Sequence, residues 1–250
     1  MTLFTPDALA GKNALVTGAS SGLGRHFAQL LARHGATVIV AARRLAELDA
    51  LVATLPNGAR AVALDIRDAA AVEATMAAQG PLDLVVNNAG VASTQPALDV
   101  DDDAWQRVLD TNLSGAFRVA RGAARALTVA QRGGVIVNVA SILGLRVAKQ
   151  VPAYVAAKAG LLKLTEALAL EFAPLRIRVN ALAPGYVETD LNREFLHSPA
   201  GDAMVKRVPL RRFGQPQDLD GALLLLVSDA GRYMTGATIV VDGGHTLAWL

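Results

Sequence analysis

A chain of 250 residues that is 52% hydrophobic carries enough apolar mass for one large core. It holds no cysteine, which excludes disulfides, thiolate nucleophiles and cysteine-bound metals, and its histidines at 26, 34, 197 and 245 lack metal-ligand spacing, so no metal site is expected. Its 24 basic and 22 acidic residues are interspersed and leave a net charge of +2, without the basic stripe that nucleic acid needs, so no nucleic-acid partner is expected.

The longest purely apolar run, 222–227, falls far short of the roughly 18 residues of a membrane span, so no membrane partner is expected. Residues 1–10 hold no basic cluster followed by an apolar stretch, which leaves a cytoplasmic location as the expectation.

Short β-branched runs then alternate with longer helical periods, the pattern of βαβ units. A first strand at 13–17 runs into Thr17-Gly18-Ala19-Ser20-Ser21-Gly22-Leu23-Gly24, which opens a helix over 23–34 closed by His34-Gly35. A strand at 37–41 leads through Ala42-Arg43-Arg44 into a helix at 44–54, and a strand at 61–64 ends in Leu64-Asp65-Ile66 before a helix at 68–78. The strand at 82–86 ends in Asn87-Asn88-Ala89-Gly90, and an uninterrupted helix is expected over 101–131 with Asn112 inside it. A strand at 135–139 closes on Ser141, a helix at 152–173 carries Tyr154 and Lys158, and a strand at 177–182 gives way at Pro184-Gly185 to an irregular stretch. A helix at 216–228 and a strand at 237–241 complete the series. The expected fold is α/β, a Rossmann-type doubly wound seven-stranded parallel sheet with helices on both faces, forming a single domain over 1–250.

Several strand ends carry chemistry. Glycines in the first βα turn permit unusual backbone angles and close approach to a pyrophosphate, while the helix N-terminus offers free N–H groups. The spacing Gly-x-x-x-Gly-x-Gly departs from the familiar Gly-x-Gly-x-x-Gly, so the loop alone is weak evidence. At the end of the second strand, where an acidic residue would accept the ribose hydroxyls of NAD, stand Ala42 and Arg43. A guanidinium there suits a 2′-phosphate and favours NADP(H), with Ser20 and Arg44 assisting; the competing reading is a solvated helix start, which leaves NAD(H) open. Asp65 is placed to accept the adenine amino group.

Tyr154 and Lys158, four apart on one helix, project from the same face. An ammonium beside a phenol favours the phenolate, so Lys158 is expected to pull down the pKa of Tyr154 from its ordinary value near 10. Ser141 is placed to hold a substrate carbonyl against the phenol. A mid-helix asparagine such as Asn112 is either an ordinary polar residue or one with a functional reason.

Taken in order, Thr17-Gly18-x-x-x-Gly22-x-Gly24, Asn87-Asn88-Ala89-Gly90, Asn112, Ser141, Tyr154-x-x-x-Lys158, and Pro184-Gly185 with Thr189 resemble the short-chain dehydrogenase/reductase family over essentially the whole chain. The stretch 208–216 is similar to that of its 3-oxoacyl-acyl-carrier-protein reductases. The resemblance implies that Tyr154 exchanges a proton with the substrate oxygen as hydride moves to or from the nicotinamide, and that Ser141 polarises that oxygen. It further implies that Lys158 bonds the nicotinamide ribose, that Asn112 holds a water leading to solvent, and that Val187 and Thr189 fix the carboxamide and phosphate. The implied cofactor set is Gly18, Ser20, Ser21, Gly22, Leu23, Gly24, Arg43, Arg44, Asp65, Ile66, Asn88, Ala89, Gly90, Tyr154, Lys158, Pro184, Gly185, Val187 and Thr189.

The substrate wall is expected from Ile142, Leu143, Gln150, Val151 and Tyr186, under a lid over about 188–212 bearing Leu191, Phe195 and Leu196. That wall is mainly apolar and suits ketones, aromatic alcohols or acyl chains alike. Lid arginines either meet an acidic carrier or are solvated. Relatives in the family imply a homotetramer, with the apolar helices 101–131 and 152–173 and the terminal Leu247, Trp249 and Leu250 packing against other copies. The leading expectation is an NADP(H)-dependent carbonyl reductase acting on a small-molecule carbonyl or alcohol; the alternatives are an NAD-dependent secondary-alcohol dehydrogenase and a non-catalytic nicotinamide-binding regulator.

Overall fold

The computed structural model describes residues 5–190 and 192–248. Trp249 and Leu250, expected at a subunit contact, and the lid residue Leu191 lie outside that range.

Among the described residues the strands are β1 (Asn13–Thr17), β2 (Thr37–Ala42), β3 (Arg60–Ala63), β4 (Leu84–Asn87), β5 (Gly134–Val139), β6 (Ile177–Pro184) and β7 (Thr238–Val241). They form one sheet in the order β3-β2-β1-β4-β5-β6-β7, and every neighbouring pair is parallel. The helices are α1 (Gly22–Arg33), α2 (Leu45–Val52), α3 (Ala69–Gln79), α4 (Asp102–Leu109), α5 (Ala116–Val129), α6 (Pro152–Phe172), α7 (Arg193–Leu196), α8 (Pro199–Val205) and α9 (Asp220–Val227).

Burial on both faces explains why the strands read as continuous apolar runs. Along β1, Ala14 and Val16 enter one core with Phe27, Leu31, Leu223 and Leu226, whereas Leu15 enters the other with Val119, Leu127 and Leu168. β2 repeats the division, with Val38 and Val40 on the first side and Ile39 on the second. Period-two alternation thus feeds two cores, and each fully buried leucine or isoleucine contributes about 1.5–3 kcal/mol. Among the described residues no helix is long and apolar enough to cross a membrane.

The expected single helix over 101–131 is broken by a π-helical turn, Asp110–Gly115, between α4 and α5. The reason is tertiary: Asn112 in the turn bonds the loop after β4, and Gly115 lies so close to Ile66 that a Cβ there would stand 2.7 Å from the isoleucine side chain. Such one-turn widenings gather at functional places. The expected helix at 216–228 begins as a 3₁₀ turn, Pro216–Leu219, before α9. β6 continues two residues past its expected end, to Pro184 opposite Val241, because a proline at a strand terminus forfeits only one ladder donor. The supposedly irregular stretch holds α7 and α8; Ser198 caps α8, accepting from Gly201 N at 3.4 Å with Pro199 at the first position, a start signal the sequence carries.

Chain order runs from β1 outward to β3, then returns across β1 to β4. The reversal opens a crevice beyond the C-terminal ends of β1 and β4.

Candidate active site

Thr17, at the end of β1, ties the two sides of this crevice together. Its hydroxyl accepts from Asn88 N at 3.0 Å and Ala89 N at 3.1 Å, and Asn88 Nδ2 donates back to Thr17 O at 3.0 Å. Gly18 (φ +68°) packs so closely that a Cβ would lie 2.8 Å from Ala89 Cα. Gly22 (φ +53°) faces Thr189, whose methyl would stand 3.7 Å from a Cβ placed there. The glycine loop, the Asn88-Ala89-Gly90 segment and Thr189 therefore border one cleft.

Some helix N-termini are capped by side chains and others, α1 among them, are not. α3 and α4 are capped by side chains, Ala71 N donating to Asp68 at 3.0 Å and Ala104 N to Asp101 at 2.6 Å. α1 has Ser21 at its N-cap with no side-chain cap bond, which leaves amides of its first turn free for an anion. A glycine cradle and an uncapped helix start fit a dinucleotide pyrophosphate.

The two arginines take different paths. Arg44, assigned an assisting place, is the one whose guanidinium reaches the loop, donating to Ser20 Oγ at 3.0 Å and Ser21 Oγ at 3.3 Å, with Glu47 3.3 Å away. Arg43 is exposed beside Asp65, whose carboxyl its charge helps to lower. Asp65 is forked by Arg67 at 2.6–3.1 Å, the main cause holding its carboxyl below the ordinary range, so an adenine amino group meets a carboxylate already engaged. Ile66 is buried beneath it.

Asn112 uses both ends of its amide on one residue: Nδ2 donates to Val91 O at 2.7 Å and Oδ1 accepts from Val91 N at 2.8 Å. Gly90 sits between it and Lys158, and a Cβ there would stand 3.2 Å from Asn112 Oδ1 and 3.7 Å from Lys158 Nζ. Lys158 is 4% exposed and donates from Nζ to Val139 O at 2.7 Å; burial pushes its ammonium pKa down to about 8. Its Nζ lies 5.6 Å from the Tyr154 ring centre.

The expected lowering of the Tyr154 pKa is not what this geometry produces. Burial pushes the phenol up, Ser141 as hydrogen-bond partner opposes that, and Tyr186 adds to the rise. The physical reason is the burial of the phenol itself, which outweighs the Ser141 hydrogen bond, while Lys158, also buried and disfavoured as a cation, donates to Val139 O. Ser141 also accepts from Leu143 N at 3.1 Å, which fixes its rotamer at the end of β5.

On the far side, Gly185 allows β6 to pass β7 at a point where a Cβ would stand 2.7 Å from Asp242. Val187 is buried and bridges Gly214; Asn192, overlooked in the sequence, holds this segment, accepting from Thr189 N at 2.7 Å and donating to Val187 O at 2.9 Å. Of the expected substrate wall, Ile142 is buried, and Leu196 points inward whereas Phe195 is 47% exposed. His245 also joins the wall, its ring 5.6 Å from that of Tyr186. Nothing local marked it, since it arrives from the turn after β7.

A family model described as enoyl-(acyl carrier protein) reductase matches residues 18–246. L-xylulose reductase of Bos taurus is 39% identical, the match covering 94% of this chain and 97% of that protein. The 3-oxoacyl-acyl-carrier-protein reductase FabG of Vibrio harveyi is 36% identical over 94% of this chain and 98% of its own. Among solved structures, a short-chain type dehydrogenase/reductase from Mycobacterium marinum superposes with a TM-score of 0.87 at 39% identity, covering 95% of this chain and 96% of that one. A gluconate 5-dehydrogenase from Burkholderia cenocepacia J2315, in complex with NADP and tartrate, gives 0.91 at 32% identity, covering 98% and 99%. With Tyr154 and Lys158 on α6, Ser141 at the end of β5 and the glycine loop between β1 and α1, the chain belongs to the short-chain dehydrogenase/reductase family and is an NAD(P)-dependent oxidoreductase acting on CH–OH groups.

Proposed function

We propose that the chain is an NADP(H)-dependent carbonyl reductase in which Tyr154 is the proton donor, Ser141 holds and polarises the carbonyl oxygen, and Lys158 positions the nicotinamide ribose. The observation that carries this reading is the convergence of Ser141, Tyr154 and buried Lys158 beside the cleft of the glycine loop. NADPH, when bound, supplies the hydride. The direction of the Tyr154 shift supports reduction: a phenol held protonated at neutral pH is the form that gives a proton to a carbonyl oxygen. Oxidation of an alcohol needs the phenolate and is expected to quicken as pH rises.

The amides of Gly22, Leu23 and Gly24 would receive the pyrophosphate, Arg44 and Arg43 the 2′-phosphate, with Ser20 and Ser21 beside them. Asp65 and Ile66 would border the adenine, Asn88, Ala89 and Gly90 the ribose, and Pro184, Gly185, Val187 and Thr189 the nicotinamide end. Since Val91 takes both ends of the Asn112 amide, the water implied there falls to a main-chain carbonyl released by the π turn. Residues 188–212 would act as a lid over the single domain. The chain would assemble with other copies as a homotetramer in the cytoplasm, with α5, α6 and the π turn, which border a concave face lined by Leu113, Phe117, Arg118, Arg121, Gly160 and Leu164, as the contact.

The second reading, an NAD-dependent alcohol dehydrogenase, is favoured by one observation: Glu47 lies 3.3 Å from Arg44 and offsets its charge. Fluorescence titration with NADPH and NADH separates the two. NADPH is expected to bind at least about tenfold more tightly, and equal or tighter NADH binding would reverse the assignment. Tyr154→Phe is expected to retain NADPH binding and lose carbonyl reduction by about 10³-fold; full activity in that variant would overturn the mechanism.

A further inference from the structure

Ser20 in the glycine loop is buried and held by two arginines at once, Arg25 Nη2 donating to its carbonyl oxygen at 2.8 Å and Arg44 Nη2 to its Oγ at 3.0 Å. Arg44 comes from the start of α2 and also lies 3.3 Å from Glu47, whereas Arg25 stands in the first turn of α1. Side chains on a helix tilt toward its N-terminus, and that tilt brings the Arg25 guanidinium back over the loop.

The Arg25 bond fixes a direction. The Ser20–Ser21 peptide is trans, and in a planar trans peptide the C=O and the N–H point opposite ways. With the Ser20 oxygen turned onto Arg25, the Ser21 N–H faces away from that guanidinium, and it has no hydrogen-bond partner among the described residues. Ser21 is the N-cap of α1 and its side chain caps nothing, so this amide joins the free amides of the first turn.

Packing does not account for the arginine. Its Nε is buried and without a partner, whereas buried polar atoms are nearly always paired. A methionine would fill the same half-buried position on α1 without stranding a donor; what it would lack is the bond to Ser20 O.

We propose that Arg25 is a positioning residue for the dinucleotide, one that sets the Ser20–Ser21 peptide so that the loop meets the pyrophosphate with an N–H and not with a C=O. A peptide plane freed of that bond can turn over, and it then presents an oxygen to an anion. The two arginines on Ser20 divide the work: Arg25 serves NADP(H) and NAD(H) alike, and Arg44 serves the 2′-phosphate alone. This rests on the reading that the glycine loop receives the dinucleotide, and it holds whichever nicotinamide is preferred.

The test is fluorescence titration of wild type, Arg25→Met and Arg44→Met with NADPH and NADH, at about 0.05 M and about 0.5 M NaCl. Arg25→Met is expected to weaken both dinucleotides by about tenfold at both salt concentrations, with kcat at saturating NADPH within about twofold of wild type. Arg44→Met is expected to weaken NADPH by about tenfold and NADH by less than about twofold. Arg25→Met binding both dinucleotides as wild type does would overturn the proposal. So would an NADPH loss several times the NADH loss that fades at high salt, since that pattern belongs to long-range attraction of charge. Hydrogen exchange at the Ser21 amide needs no variant to fold: saturation of wild type with either dinucleotide is expected to slow it by about tenfold or more, and unchanged exchange would sink the proposal. In Arg25→Met that slowing is expected to vanish even at saturating NADPH. Wild type that binds neither dinucleotide would bring down the cofactor reading, and this proposal with it.

Discussion

On the β1–β4 side of the crevice, Thr17, Gly18, Gly24 and Asn88 are locked by hydrogen bonds from the Thr17 and Asn88 side chains to the main chain opposite and by contacts that leave no room for a methyl group. On the β6–β7 side, the segment from Glu188 to Arg212 is held by exposed ion pairs, Arg193 and His197 on Glu188, and by the Asn192 side chain. A half closed by buried, close-packed contacts around glycines has little freedom to adapt and suits a ligand that never changes. A half built from side chains on loops can be altered without disturbing the sheet, which is where substrate choice is expected to reside.

Gly24→Ala should separate the halves most strongly. Its Cβ would lie 2.5 Å from Asn88 Nδ2 and 2.7 Å from the Gly18 carbonyl carbon, so the loop must shift and Asn88 must release Thr17. A loss of about 2–3 kcal/mol in denaturant unfolding and at least about a hundredfold weaker NADPH binding are expected. Gly221→Ala, in α9 with open space around it, serves as the control and should stabilise by about 0.5–1 kcal/mol. If Gly24→Ala binds NADPH normally, the rigidity ascribed to this side is wrong.

Asn112→Ala comes next. It leaves both the N–H and the C=O of Val91 without their partner, a cost of about 1–3 kcal/mol, and frees the Gly90 loop beside Lys158. Unfolding midpoints and NADPH Kd should worsen together, because one clamp serves both; a stability loss with unchanged Kd would uncouple them.

How much of this was legible in the sequence follows the same division. β1 and its glycine loop were readable because the signals are local: an apolar strand, then glycines, then a helix. The π turn was not, because Asn112 is drawn out of the α-helical ladder by Val91, a partner 21 positions away. The choice of Arg44 over Arg43 at the loop is a matter of side-chain path, invisible in two adjacent arginines. The Tyr154 pKa was misjudged because four-residue spacing gives proximity but not burial, and burial is the larger cause. His245 had no local signal, since its significance arises only where β7 meets the end of β6.

Lys158 sharpens the contrast by pH. Its buried ammonium titrates at about 8, whereas an unfolded lysine holds its proton to about 10.5. Between those values the unfolded chain binds more protons, so this residue makes the apo protein more stable as pH rises through that window, and its burial penalty is fully present below pH 8. Wild type measured against Lys158→Met should gain about 2 kcal/mol from pH 8 to 10 in denaturant unfolding. Parallel pH profiles for the two proteins would show that the ammonium is solvated and the site looser than its contacts suggest.

Glu188→Gln should have the least effect on stability, and this makes it the sharper probe of the other half. The Arg193 guanidinium, first among its partners, holds the Glu188 carboxyl below the ordinary range, but the pair is exposed and screened by solvent. The melting temperature should therefore stay within about 2 °C of wild type, and NADPH binding within about twofold, at pH 7. The ratio of KM values for bulky and small ketones is the quantity expected to move, because the freed α7 segment no longer sets the height of the wall that carries Leu196. A fall of more than about 5 °C would mean that the surface ion pairs carry as much of the fold as the glycine loop does, and the two halves would then differ in their ligands but not in how they are held.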